Sequence, residues 1–150
     1  MFNIRVYGIL INKEKQVLLS DECIQGKFYT KYPGGGLEFG EGTRACLERE
    51  FMEEMQLRVR VGDHIYTTDF YQQSAFNPAH QIISIYYFVK ALAPITVPLH
   101  SKAFDFDPLL ISKQQIIPES FRFIDWDLLQ ENELTLPIDK LVTKIIKNNA

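Results

Sequence analysis

Apolar and polar positions alternate from the start of the chain. Phe2, Ile4, Val6, Gly8 and Leu10 interleave with Asn3, Arg5, Tyr7 and Ile9, the two-residue period of a β-strand with one wetter face. Asn12-Lys13-Glu14-Lys15 reads as a polar turn, and Gln16 to Ser20 as the returning hairpin partner. Phe28 to Tyr32 predicts a third extended piece, stopped by Pro33. Gly34-Gly35-Gly36 then opens a loop that continues through Leu37, Glu38, Phe39 and Gly40. From Thr43 to Met55 the chain consists mainly of good helix formers without Gly or Pro, and Thr43 is placed to cap the start.

Beyond that helix, Leu57 to Val61, Ile65 to Tyr71 and Gln81 to Leu92 are rich in β-branched and aromatic residues and read as strands. Ala93 to Pro118 holds four prolines and resists assignment. A segment this long is expected to act as a lid or as a subunit contact, the latter making a homodimer. Phe121 to Trp126 predicts a late strand. Pro137 to Lys147 predicts a closing amphipathic helix with Pro137 in its first turn. Strands around one central helix, with another helix at the end, define an α/β layered domain, and no linker divides residues 1–150.

Composition narrows the classes. Of 150 residues, 46% are hydrophobic and 13% aromatic, too many for a disordered chain. No apolar run reaches the ~20 residues of a membrane helix, and the first residues lack the pattern of a secretory signal. A cytoplasmic protein without membrane contact is therefore expected. Sixteen basic against nineteen acidic residues leave a net charge of −3, which counts against a dedicated nucleic-acid binder. The two cysteines, Cys23 and Cys46, are expected as reduced thiols, and without a Cys/His cluster zinc has no evident place.

The chemistry concentrates between Gly35 and Leu57. Glu50, Glu53 and Glu54 stand at i, i+3 and i+4, within an arc of roughly 100° on a helix. Like charges so spaced cost ~0.2–0.5 kcal/mol per pair, which an oxygen-seeking divalent cation such as Mg²⁺ or Mn²⁺ would offset. A glutamate stripe alone is ordinary solvated surface. The glycine loop ahead of it changes the picture, because such a loop can approach a phosphate closely and leave room for a metal. Arg49, beside the acids, is positioned to pair with Glu41 and tie the loop to the helix.

These residues resemble the Nudix hydrolase box: Gly, five residues, Glu, seven residues, then Arg-Glu-U-x-Glu-Glu-x-Gly-U, where U is a bulky apolar residue. Gly35, Glu41, Arg49, Glu50, Phe51, Glu53, Glu54 and Leu57 stand in that register, and only Gln56 departs, in place of the last glycine. The family glycine implies a left-handed helix end, so Gln56 is expected to shift that end slightly without touching a ligand. The resemblance, MutT-like in type, implies a Nudix α/β/α sandwich with a mixed sheet. It also implies Mg²⁺-dependent hydrolysis of a nucleoside diphosphate linked to another group, with water attacking a phosphorus. By the same resemblance Glu50, Glu53, Glu54 and the carbonyl of Gly34 would hold the metal, while Gly35, Glu41 and Arg49 would shape the box.

The catalytic candidates are then Glu50, Glu53 and Glu119, with Glu53 the first choice as general base. Glu119, ahead of the Phe121 strand, is the second, although an exposed loop acid beside Pro118 is an equally good description of it. Phe70 and Tyr71 are weak candidates for stacking a nucleobase, and Lys31 for meeting a phosphate; packing and solubility explain such residues as readily. Nucleoside triphosphates, nucleotide sugars and ADP-ribose all fit as substrates. The rival class is a Nudix-like module that binds a nucleotide or sugar phosphate without turnover, and the complete set of box acids favours the enzyme. RNA decapping, another Nudix activity, is disfavoured by the absence of a basic excess.

Overall fold

The computed structural model describes residues 1–107, 109 and 118–149. The strands are β1 (Phe2–Leu10), β2 (Gln16–Ile24), β3 (Lys27–Lys31), β4 (Gly34–Gly36), β5 (Val59–Thr67), β6 (Gln81–Ala91) and β7 (Glu119–Asp125). Helix α1 spans Thr43–Met55 and α2 spans Pro137–Asn148, with 3₁₀ turns at Trp126–Leu128 and Glu131–Glu133. The chain divides into two compact units. One comprises Met1–Leu10 and Pro33–Thr96, the other Ile11–Tyr32 and Val97–Ala150.

The first unit holds a four-stranded mixed sheet in the order β4-β1-β6-β5. Strand β1 runs parallel to β6, from Phe2 opposite Gln81 to Leu10 opposite Val89, and antiparallel to β4 on its other edge. Its second half, Val6 to Leu10, is buried on both faces, so the expected wetter face is confined to the first residues. A strand at the centre of a sheet is covered on both sides, and Tyr7 and Ile9 are large enough to use that cover. The three glycines form the short strand β4 rather than an open loop. Strand β5 pairs with β6 through register shifts between Val61 and Tyr66 and ends at Thr67, four residues before the predicted end.

The second unit holds an antiparallel sheet in the order β3-β2-β7. Here the expected hairpin is corrected. The polar turn closes as predicted, with Asn12 N–H on Gln16 O at 3.0 Å. Yet β2 joins β3 and β7 instead of β1, both of whose edges β4 and β6 take. The buried Asp21 carboxylate accepts from Arg122 Nε at 2.7 Å and from Thr30 Oγ1 at 2.7 Å, linking the three strands of this sheet. Helix α2 begins with Pro137, as predicted, and buries Ile138, Val142 and Ile146 at i, i+4 and i+8.

Of the segment Ala93 to Pro118, residues 108 and 110–117 lie outside the described ones, and so does that part of the lid or contact expectation. From Val97 on, the described part is fastened to the second unit. His100 N–H donates to Phe121 O at 2.8 Å, and the Phe104 ring lies 5.0 Å from that of Phe28. Among the described residues no helix is long and apolar enough to cross a membrane.

Candidate active site

Helix α1 matches its predicted bounds, but its ends are made differently. Gly42 is the N-cap, without a side-chain cap bond, and the Thr43 hydroxyl is instead paired with the Tyr87 hydroxyl at 2.7 Å. At the other end Gln56 adopts φ 51°, ψ 35°, the left-handed conformation, and its N–H returns to Met52 O at 2.9 Å. The turn that glycine would make is therefore made by glutamine, at a conformational cost of about 1 kcal/mol.

Two of the box acids occupy positions where a helix of this kind would carry apolar groups. At about 100° per residue, Glu50 and Glu54 project between Cys46 and Leu47, on the packed side, whereas Glu53 projects outside that arc. Exposure follows this geometry: the Glu50 side chain is 13% exposed and that of Glu53 58%. A carboxylate on the packed side needs a partner, because desolvating an unpaired charge is strongly unfavourable.

Glu50 has two such supports. The first is Gly35, where any Cβ would overlap the Glu50 carboxylate, so glycine alone leaves the acid room against β4. The second is Arg49, whose Nη1 donates to Glu50 Oε1 at 3.0 Å and to Glu53 Oε2 at 3.2 Å. The opposite edge of the same guanidinium grips the loop. Nε and Nη2 donate to the two Glu41 oxygens at 3.0 and 2.7 Å, and Nη2 also reaches Gly36 O at 3.0 Å.

The electrostatics match this arrangement. The Arg49 hydrogen bonds, followed by the Glu38 N–H, hold the Glu41 carboxyl down at about 2. Arg49 is in turn held charged, above all by Glu41. Cys46 lies under the fork with Sγ 3.5 Å from Gly36 O; burial and then Glu41 push its thiol up to about 12, which removes it as a nucleophile at neutral pH. Glu38, 3.7 Å from Arg49 Nη1, joins the cluster. Sequence reasoning passed over Glu38 and the Gly36 carbonyl, although their place inside the glycine loop was the signal available.

Glu119 belongs to the second unit and is no exposed loop acid. It opens β7 directly opposite Glu22 of β2, accepts from Ser20 Oγ at 3.0 Å, and is largely removed from solvent. Burial, then the Glu22 carboxyl, pushes its pKa up to about 8. Lys31 is buried beside the pair, 3.5 Å from Glu22 Oε2. Phe70 and Tyr71 are exposed in the segment after β5.

Glu50 and Glu53 are thus brought together through Arg49, and Glu54 is half-buried one turn beyond Glu50. Among the described residues no three His, Cys, Asp or Glu side chains form a ready-made metal cage. The donors themselves suit a hard divalent cation: carboxylate oxygens, one held in a recess that a Cβ would fill.

Comparison with known proteins gives the family and the fold. A model of the NUDIX domain matches residues 1–130. The chain therefore belongs to the Nudix family, and its class is that of the Nudix hydrolases. No curated protein matches the chain significantly. Among solved structures, the ORF135 protein of E. coli is similar with a TM-score of 0.71 at 14% identity, over 98% of this chain and 89% of that one. The MutT protein of Methanosarcina mazei gives 0.66 at 16% identity, over 99% and 95%. An ADP-ribose pyrophosphatase of Streptococcus suis gives 0.59 at 16% identity, over 97% and 87%. Likeness at this identity shows the fold, the α/β class of the Nudix sandwich.

Proposed function

We propose that residues 1–150 act as one Mg²⁺-dependent pyrophosphohydrolase domain that cleaves the diphosphate of a nucleoside diphosphate linked to another moiety. The observation that carries this reading is the Glu50 carboxylate, seated against Gly35 on the packed side of α1 and braced by an arginine that also locks the loop. Glu50, Glu53, Glu54 and the Gly34 carbonyl are the residues that would hold Mg²⁺, with Mn²⁺ as a substitute. The ion would polarise a phosphoryl oxygen and lower the pKa of a bound water.

The protein's own side chains divide the remaining work. Glu53, the more exposed of the two helix acids paired with Arg49, accepts the proton of the attacking water. Glu119 suits that role less well, because a carboxyl that keeps its proton to about pH 8 donates rather than accepts at neutral pH. Arg49 and Glu41 hold loop and helix in register, and Gly35 keeps the recess open. Phe70, Tyr71 and Lys31 remain candidates for contacts to base and phosphate, the last only if Lys31 leaves Glu22.

The substrate is a small nucleotide-type diphosphate: a nucleoside triphosphate, a nucleotide sugar or ADP-ribose. The similarity to a MutT protein and to an ADP-ribose pyrophosphatase supports that range. Cys23 and Cys46 are unpaired buried thiols, which suits a reducing compartment, and we place the reaction in the cytoplasm. Product analysis over a panel of these three substrate classes with Mg²⁺ or Mn²⁺ tests the proposal. Cation-dependent release of a nucleotide from at least one class is expected, and binding without turnover across the panel would favour the non-catalytic module.

A further inference from the structure

We propose that the Nη1 edge of Arg49 is a resident countercharge for Glu50 and Glu53, which a divalent cation must displace to bind them. This role rests on reading those glutamates as cation ligands. Nη1 lies 3.0 Å from Glu50 Oε1 and 3.2 Å from Glu53 Oε2, so it already neutralises the two carboxylates that would help to hold a cation. Two positive charges cannot occupy one such position without strong repulsion.

The guanidinium is suited to the exchange because its two edges are used differently. Nε and Nη2 are anchored on Glu41 and Gly36 O, on the side where the arginine meets the loop. Nη1 faces Glu53, the exposed acid, so it can yield there while the other edge keeps Arg49 in place. Lysine could not do both, since its point charge lacks a rigid fork. Neutralising Glu50 and Glu53 also relieves like-charge repulsion along α1, so the helix does not depend on a cation for its stability.

The test compares Mn²⁺ affinity, by calorimetry and by the spin resonance of free Mn²⁺, and melting temperature, in the wild type, Arg49→Gln and Glu41→Gln. Arg49→Gln is expected to bind Mn²⁺ roughly two- to fivefold more tightly, as expected for loss of a competing, part-exposed ion pair. It should melt lower than wild type without Mn²⁺ and recover more on saturation. Glu41→Gln keeps the Arg49 charge and should show no gain in affinity. If Arg49→Gln does not fold, nitrogen-15 NMR of the wild type decides: Mg²⁺ should shift the Arg49 Nη1 protons and leave its Nε resonance in place. Unchanged or weaker binding by Arg49→Gln, an equal gain in Glu41→Gln, or unmoved Nη1 protons would overturn the proposal. A wild type that binds no Mn²⁺ at all would overturn the cation-ligand reading of the glutamates as well, which separates the two failures.

Discussion

Arg49 grips Glu41 with two parallel hydrogen bonds, Nε to Oε2 at 3.0 Å and Nη2 to Oε1 at 2.7 Å, across the turn from the glycine loop to α1. The bond is charge-assisted and bidentate, the strong form of an arginine–carboxylate pair. Its pH signature follows from the depressed Glu41 carboxyl. The folded-state value, about 2, lies below the ordinary value of 4.5. The stabilisation is therefore complete above about 4.5 and is lost as pH falls towards 2. Melting curves between pH 2 and 6 should show a steeper acid loss in the wild type than in Glu41→Gln.

Glu119 predicts the opposite slope. Its carboxyl keeps a proton in the folded protein, up to about pH 8, that the unfolded chain releases near its ordinary value of 4.5. Stability should therefore fall as pH rises through that interval, and flatten above it. Glu119→Gln should lose less stability than the wild type between pH 5 and 9, as measured by chemical denaturation. Its turnover at pH 7 should fall by less than the ~10²–10⁴-fold expected for loss of a general base.

Adjacent glycines should fail in different ways. A Cβ at Gly34 would collide with the backbone carbonyl of Val6, and its φ of 152° disfavours any side chain, so Gly34→Ala should fold poorly. At Gly35 the collision is with the end of the flexible Glu50 side chain, which can move aside. Gly35→Ala should keep a melting temperature near that of the wild type while turnover falls by about 10² or more, the cost of misplacing a reacting group by an ångström. Differential scanning fluorimetry beside an activity assay separates the two.

Gln56 offers a stabilising change. Glycine in its left-handed position removes a cost of about 1 kcal/mol, which for a chain of this length raises the melting temperature by roughly 2–4 °C. Turnover of Gln56→Gly should stay within about twofold of wild type, because residue 56 caps the helix and lies outside the Arg49 cluster. A calorimetric scan with parallel kinetics measures both.

What the sequence revealed and what it concealed divide along the range of the interactions. Helix α1 was legible from Thr43 to Met55 because helix propensity is local, and the Glu50, Glu53, Glu54 register followed from spacing alone. The partner of β2 was not legible, since β1 pairs with β4 and with a strand some eighty residues away. Thr43 looked like a cap, but its hydroxyl is engaged by Tyr87, forty-four positions on. Glu119 looked like a surface acid for the same reason: the strand pairing that sets Glu22 opposite it spans most of the chain. Spacing also put all three helix acids on one face, without indicating that Glu50 and Glu54 share the packed side while Glu53 stands towards solvent.

The most direct single measurement is the Mg²⁺-saturated turnover number of Glu53→Gln against the wild type, on whichever nucleotide diphosphate the wild type cleaves. A loss of about 10²–10⁴-fold, with melting temperature retained, is expected of the proton-accepting acid. Turnover within a few-fold of wild type would contradict Glu53 as the acid that accepts the proton.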